Sequence, residues 1–181
     1  MNLPSIAIAA AVFLSGILRI VRRVVAVCGP GGTVADDLVR LGTQVGELAT
    51  NAGFDIVTGG LDGVMAAAAR GARNAGGRVL GLLPGTDAHA GNEHLSMALP
   101  TGLGQLRNGL VVTAADAVIA VGGSWGTLSE IALAARADKP VVVIRGWQVM
   151  DESGQPVSIA TAGDAEQAVA YVVAALRETD G

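Results

Sequence analysis

Lysine is almost missing from this chain: Lys139 is the only one among 12 basic residues. A Walker-type phosphate loop needs a lysine in the turn that opens its helix, and a pyridoxal enzyme needs one for its Schiff base. Lys139 stands in Asp138-Lys139-Pro140, just before the apolar strand predicted over Val141–Ile144. Open α/β sheets take their ligands at the other, C-terminal ends of the strands, so neither chemistry fits. Cysteine is equally scarce. A lone Cys28 excludes an intrachain disulfide and any CxxC metal site. It suits a reducing compartment, and a cytoplasmic location is the expectation. Charged residues make up only 15% against 51% hydrophobic, which excludes disorder. The net charge of -4 and pI of about 5.0 provide no general nucleic-acid-binding surface, so no nucleic-acid partner is expected.

Glycine, by contrast, is abundant: 26 of 181 residues. With 6 prolines and no Gly-X-Y period this is not collagen. Clustered glycines in an apolar chain point to tight turns and close approach of backbone to a ligand. Residues 3–18 are apolar or small throughout, shorter than the ~20 residues of a spanning helix. Arg19, Arg22 and Arg23 follow that run rather than precede it, the reverse of a secretory signal. Residues 1–22 therefore read as an apolar appendage that does not span a membrane, with no membrane contact expected. Residues 23–181 read as one domain.

Within that domain short β-branched runs alternate with helical stretches. Strands are predicted at Val24–Cys28, 54–58, 78–83, Ala117–Val121 and Val141–Ile144, with a short one near Leu99. Helices are predicted at 35–52, 63–75, 104–115, 128–137 and 164–178. Near-continuous apolar strands separated by helices imply an α/β fold, a doubly wound parallel sheet of Rossmann-like type. In such a sheet all strand exits lie on one edge.

Three of those exits carry glycine clusters: Gly29-Pro30-Gly31-Gly32, Gly59-Gly60 and Gly122-Gly123-Ser124-Trp125-Gly126-Thr127. A helix that follows such a turn begins with unpaired N–H groups and a positive dipole end, which favours phosphate. Ordinary βα turn chemistry also uses glycine; three clusters on one edge favour the ligand reading. The first cluster has Val34 where a dinucleotide fingerprint has its third glycine. The second strand ends without an acid for a ribose diol. A mononucleotide or another phosphorylated ligand fits better than NAD.

Two charged residues flank the last cluster. Arg107 lies near the start of the helix before the fourth strand, and Glu130 lies in the helix after it. Arginine can clamp phosphate with two donors; glutamate beside a sugar C1′ can stabilise oxocarbenium-like charge or position water. Thr127-Leu128-Ser129-Glu130 also matches a capping box, so Glu130 is open to a purely structural reading, as is Arg107. The loop group Asp87, His89, Asn92, Glu93 and His94 matches no standard metal-ligand spacing and reads as a polar substrate-covering loop. Cys28 reads as a small buried hydrophobe. Trp125 either packs over a ligand ring or covers the helix start.

The segment 122–130, GGSWGTLSE, resembles the PGGxGTxxE motif of the Lonely Guy (LOG) family, and 58–65, TGGLDGVM, resembles its GGGxxGLM turn. The stretch 100–108 and then Ala115-Asp116-Ala117-Val118 looks closer to a sister group that includes molybdenum-cofactor carrier proteins. The likeness covers about residues 23 to 146. It implies metal-free hydrolysis of the N-glycosidic bond of a nucleoside 5′-monophosphate, giving free base and ribose 5-phosphate. Arg107 and Glu130 would be the catalytic pair, and the turn from Gly122 to Thr127 would hold the phosphate. No cofactor is then required. The alternative is a carrier or sensor that binds molybdenum cofactor or another phosphorylated pterin or nucleotide without turnover. The resemblance also implies a homodimer, as do the Ala-rich helices at 63–75 and 128–137, which want burial on more than one side. Two positions depart from the LOG pattern: its second motif glycine is Ser124, and the basic residue after its arginine is Asn108.

Overall fold

The computed structural model describes residues 22–178; all of the proposed N-terminal appendage except Arg22 lies outside them. Seven strands form one parallel sheet: β1 (Val24–Cys28), β2 (Asp55–Thr58), β3 (Val79–Leu83), β4 (Met97–Pro100), β5 (Ala117–Val121), β6 (Val141–Ile144) and β7 (Ala160–Ala162), in the order β4-β3-β2-β1-β5-β6-β7. Composition agrees with which strands are central and which lie at the edge. β5 and β6 are buried at every position, and β1 at all but its first, which suits strands covered on both faces. β4 alternates exposed and half-buried residues and ends in Pro100, as an edge strand can. The three-residue β7 is too short to stand out in the sequence.

Five helices cover the sheet: α1 (Asp36–Asn51), α2 (Val64–Asn74), α3 (Arg107–Thr113), α4 (Trp125–Arg136) and α5 (Ala165–Glu178). One core joins the sheet to α1, α2 and α5, with Val45, Val64, Ala68 and Val172 fully buried in it. The other joins the opposite face to α3 and α4 through Val111, Ile131 and Ala134. α1 buries Gly42, Val45, Gly46 and Ala49, a helical i, i+3, i+4, i+7 stripe. That stripe meets α2 backbone to backbone: a Cβ on Gly46 would overlap the Ala68 carbonyl, and one on Gly71 would overlap that of Thr43. The Ala-rich face of α2 is thus buried within its own chain. This helix therefore needs no second copy for cover, because so close a helix pair already buries it.

Two helix starts differ from the sequence reading. The predicted helix at 104–115 opens with a tight 3₁₀ turn, Gly104–Leu106, so that α3 begins at Arg107 itself. The predicted helix at 128–137 begins three residues earlier, at Trp125. Lys139 caps α3 from the far end of the sheet: its Nζ donates to the carbonyls of Val112 at 2.9 Å, Thr113 at 3.1 Å and Ala115. Among the described residues no helix is long and apolar enough to cross a membrane.

The sheet order reverses between β1 and β5, which pair through Cys28 and Ala120. After β1 the chain turns to α1 on one face, and after β5 to α4 on the other. Such a divergence opens a crevice at the strand exits.

Candidate functional site

That crevice is a cleft of about 840 Å³, within the usual range for small-molecule sites. Of the residues singled out in the sequence, Gly29, Gly31, Arg107, Ser124, Trp125, Gly126, Thr127 and Glu130 all line it. Leu61, Met65, Leu106, Asn108, Ser129 and Leu133 join them.

The remaining glycines lie elsewhere. Gly122 donates its N–H to the Ile144 carbonyl at 2.8 Å and turns the chain at φ 75°. Gly123 makes room for the indole of Trp147. Gly60 packs against Leu83, and its carbonyl accepts from Asn92. Gly32 borders a separate groove with His94. Gly59 has a less direct place: a Cβ there would come within 2.5 Å of the Arg107 guanidinium, so the glycine leaves space for that side chain to lie across the end of β2.

Arg107 and Glu130 meet at the floor of the cleft. Each is 5% exposed, and Arg107 Nη1 stands 3.5 Å from Glu130 Oε1. The same nitrogen donates to Asn108 Oδ1. Asn108 Nδ2 in turn donates to Ser129 Oγ at 2.8 Å, and Ser129 Oγ donates to the Gly126 carbonyl at 2.7 Å. The arginine is thereby tied to the first turn of α4. Its Nε is buried with no hydrogen-bond partner among the described residues. A buried donor left unpaired is unfavourable and calls for an acceptor, such as a water, within the floor itself.

Burial pushes the Glu130 carboxyl up to about 7; the Arg107 charge and a hydrogen bond from the Cys28 thiol pull the other way without cancelling it. Burial likewise raises the Cys28 thiol, with the Glu130 carboxylate adding to the effect. Cys28 is buried, as its sequence reading holds, but it also closes the floor of the site against Glu130. Its position at the exit of β1, the strand beside the reversal of sheet order, was the signal available for that.

Glu130 is not part of a capping box. The N-cap of α4 is Ser124, whose Oγ accepts the Thr127 N–H at 3.1 Å and bonds the Thr127 hydroxyl at 2.8 Å. This places Glu130 beyond the first turn, pointing into the buried pair. Ser124 thus takes one N–H of the helix start for itself. The N–H groups of Trp125 and Gly126 lie too early in the helix to have an intrahelical acceptor, and both residues face the cleft. The polar loop side chains are used locally: Asp87 accepts from the His89 N–H and Asn92 donates to the Gly60 and Leu61 carbonyls. No three His, Cys, Asp or Glu side chains gather as a metal site among the described residues.

Comparison with known proteins follows the same lines. A solved molybdenum cofactor binding protein from Rippkaea orientalis is 29% identical, with a TM-score of 0.74, over 90% of this chain and 99% of its own. The solved molybdenum cofactor carrier protein from Chlamydomonas reinhardtii is 30% identical, with a TM-score of 0.74, over 86% of this chain and 99% of its own. An uncharacterised protein of Archaeoglobus fulgidus is 37% identical over 133 residues, 70% of this chain and 87% of that one. The SLOG cluster4 family matches residues 22–174, strand, cleft and helix alike, and this chain belongs to it.

Proposed function

We propose that this protein binds a small phosphorylated heterocycle in the β1/β5 cleft and serves as its carrier or sensor, with molybdenum cofactor or a related pterin phosphate as the ligand class. The observation that carries this reading is the meeting of two anion-seeking features at one place. The start of α4 presents the N–H groups of Trp125 and Gly126, and the positively charged Arg107 lines the same cleft. The likeness to two molybdenum-cofactor proteins along nearly their whole length supports the carrier role. Asn108 supports it too: it holds Arg107 to the helix turn, which suits a fixed binding group.

A second reading has its own observation, the Arg107–Glu130 pair on the cleft floor. In a nucleoside 5′-monophosphate phosphoribohydrolase, water would attack C1′ as the C1′–N bond breaks and the electron pair leaves with the base. Glu130 would stabilise the developing positive charge on the sugar, and Arg107 would orient the ligand. This requires the carboxylate form, so turnover would rise with pH through about 7. One experiment separates the two: calorimetric titration with AMP and a phosphorylated pterin, beside chromatography for released base. Tight binding without base release supports the carrier; base release at a rate that depends on Glu130 supports the hydrolase; no binding of either ligand contradicts both. We also propose a homodimer, now through Leu110 and Leu133 of α3 and α4, which are 40% and 39% exposed. A light-scattering mass of one 18.0 kDa chain would contradict it.

A further inference from the structure

Trp125 and Trp147 are the two tryptophans of the chain. Their rings meet edge to face, with centroids 5.0 Å apart and planes at 82°. Trp147 is seated over Gly123, where any Cβ would overlap its indole. Trp125 is the first residue of α4 and is 79% exposed, so it does not fold back to cover the helix start. A T-shaped contact occupies at most one face of each ring, and Trp125 keeps an open face at the wall of the cleft. Leu106, 80% exposed, also lines the cleft. Two large apolar side chains are thus exposed together at the rim of one cleft, the kind of grouping that marks a ligand-binding groove.

We propose that Trp125 is a stacking platform for the planar ring of the phosphorylated ligand, held upright by Trp147. The inference rests on the phosphate-binding reading of the same cleft. The backbone N–H that would take the phosphate and the indole that would take the ring belong to one residue, so a ligand with a sugar-sized spacer between phosphate and ring reaches both. Stacking reads the area of a π-face and tolerates different hydrogen-bonding edges. The site is thereby selective for a bicyclic heterocycle phosphate, purine or pterin, over a bare sugar phosphate. It also explains how an enclosed polar floor can coexist with so apolar a rim.

The test uses calorimetric titration of the full chain with AMP, a pterin monophosphate and ribose 5-phosphate, in wild type, Trp125→Ala and Trp125→Phe. Trp125→Ala is expected to weaken AMP and the pterin about tenfold or more and to leave ribose 5-phosphate unchanged. Trp125→Phe is expected to recover part of the loss, and the tighter of the two heterocycles names the source. In Trp147→Phe, Trp125 is the only indole, and its emission is expected to be quenched by AMP. Equal AMP binding by wild type and Trp125→Ala, with ribose 5-phosphate still bound, overturns the platform and leaves the phosphate site standing. Equal losses for AMP and ribose 5-phosphate overturn it as well, since the indole would then be shaping the phosphate turn. If neither AMP nor ribose 5-phosphate binds the wild type, the phosphate site fails and the platform with it. A mass that halves in Trp125→Ala assigns the indole to a contact between copies and also overturns the inference.

Discussion

Replacing Glu130 with glutamine should make this protein more stable at neutral and higher pH, although the change removes one half of a buried ion pair. The carboxyl is 5% exposed, and its folded-state pKa is raised from 4.5 to about 7 because loss of hydration outweighs the Arg107 charge. A raised folded pKa means that the folded state holds the proton more tightly than the unfolded chain does. The stability it provides is fully present below about 4.5 and is lost as pH rises through about 7. A shift from 4.5 to about 7 corresponds to about 3 kcal/mol at ~1.36 kcal/mol per unit. Glutamine keeps the shape of the protonated acid and never ionises. The variant should therefore lie within about 1 kcal/mol of wild type at pH 5 and exceed it at pH 8 by up to about 3 kcal/mol. For a domain of this size that is roughly 10 °C in Tm. Urea melts of both proteins across pH 5 to 8 measure it, with the comparison cancelling groups the two share. A stability difference that stays flat over that range would refute the argument that burial dominates at Glu130. A variant less stable than wild type at pH 8 would show instead that the Arg107 attraction wins.

Other consequences follow from neighbouring groups. Cys28, buried and with a raised thiol pKa, should resist a disulfide reagent in the native state at pH 8 and react at once in denaturant; quick native labelling would contradict its placement. Ser124→Gly removes a side-chain cap and releases the Thr127 N–H. Stability should fall by only a few tenths of a kcal/mol, while a phosphate ligand gains a donor and binds more tightly by titration. Gly46→Ala and Gly71→Ala drive a methyl into the facing backbone of the α1–α2 pair and should each destabilise by about 1–3 kcal/mol, seen as a lower urea midpoint; unchanged midpoints would show that the two helices can part freely.

How much was legible differs between fold and site. β1, β5 and β6 were readable because a strand buried on both faces is apolar at nearly every position. β7 was not, since Ala160-Thr161-Ala162 carries no period. Placing Arg107, Glu130 and the α4 turn on one cleft required only that parallel strands share an exit edge. The role of Ser124 was missed because Ser124-Trp125-Gly126-Thr127 and Thr127-Leu128-Ser129-Glu130 both offer a hydroxyl three residues ahead of a partner. Local spacing cannot choose between them, and the packing of Glu130 against Arg107 and Cys28 decides it. The glycine clusters were read as one class, yet Gly29 and Gly31 face the cleft whereas Gly123 and Gly60 serve Trp147 and Leu83. A glycine's sequence context shows that space is needed and does not show which neighbour needs it. The α1–α2 contact went unread for the same reason: Gly46 and Gly71 are far apart in the chain and meaningful only as a pair.

The central claim is that a ligand phosphate sits at the start of α4 beside Arg107. The most direct measurement is a crystal structure of the protein soaked with AMP or with a pterin monophosphate. The account predicts phosphate oxygens within hydrogen-bond distance of the Trp125 and Gly126 N–H groups, with the heterocycle against the Trp125 indole. Ligand density in the groove lined by Gly32 and His94, with the Trp125–Gly126 turn empty, would contradict it.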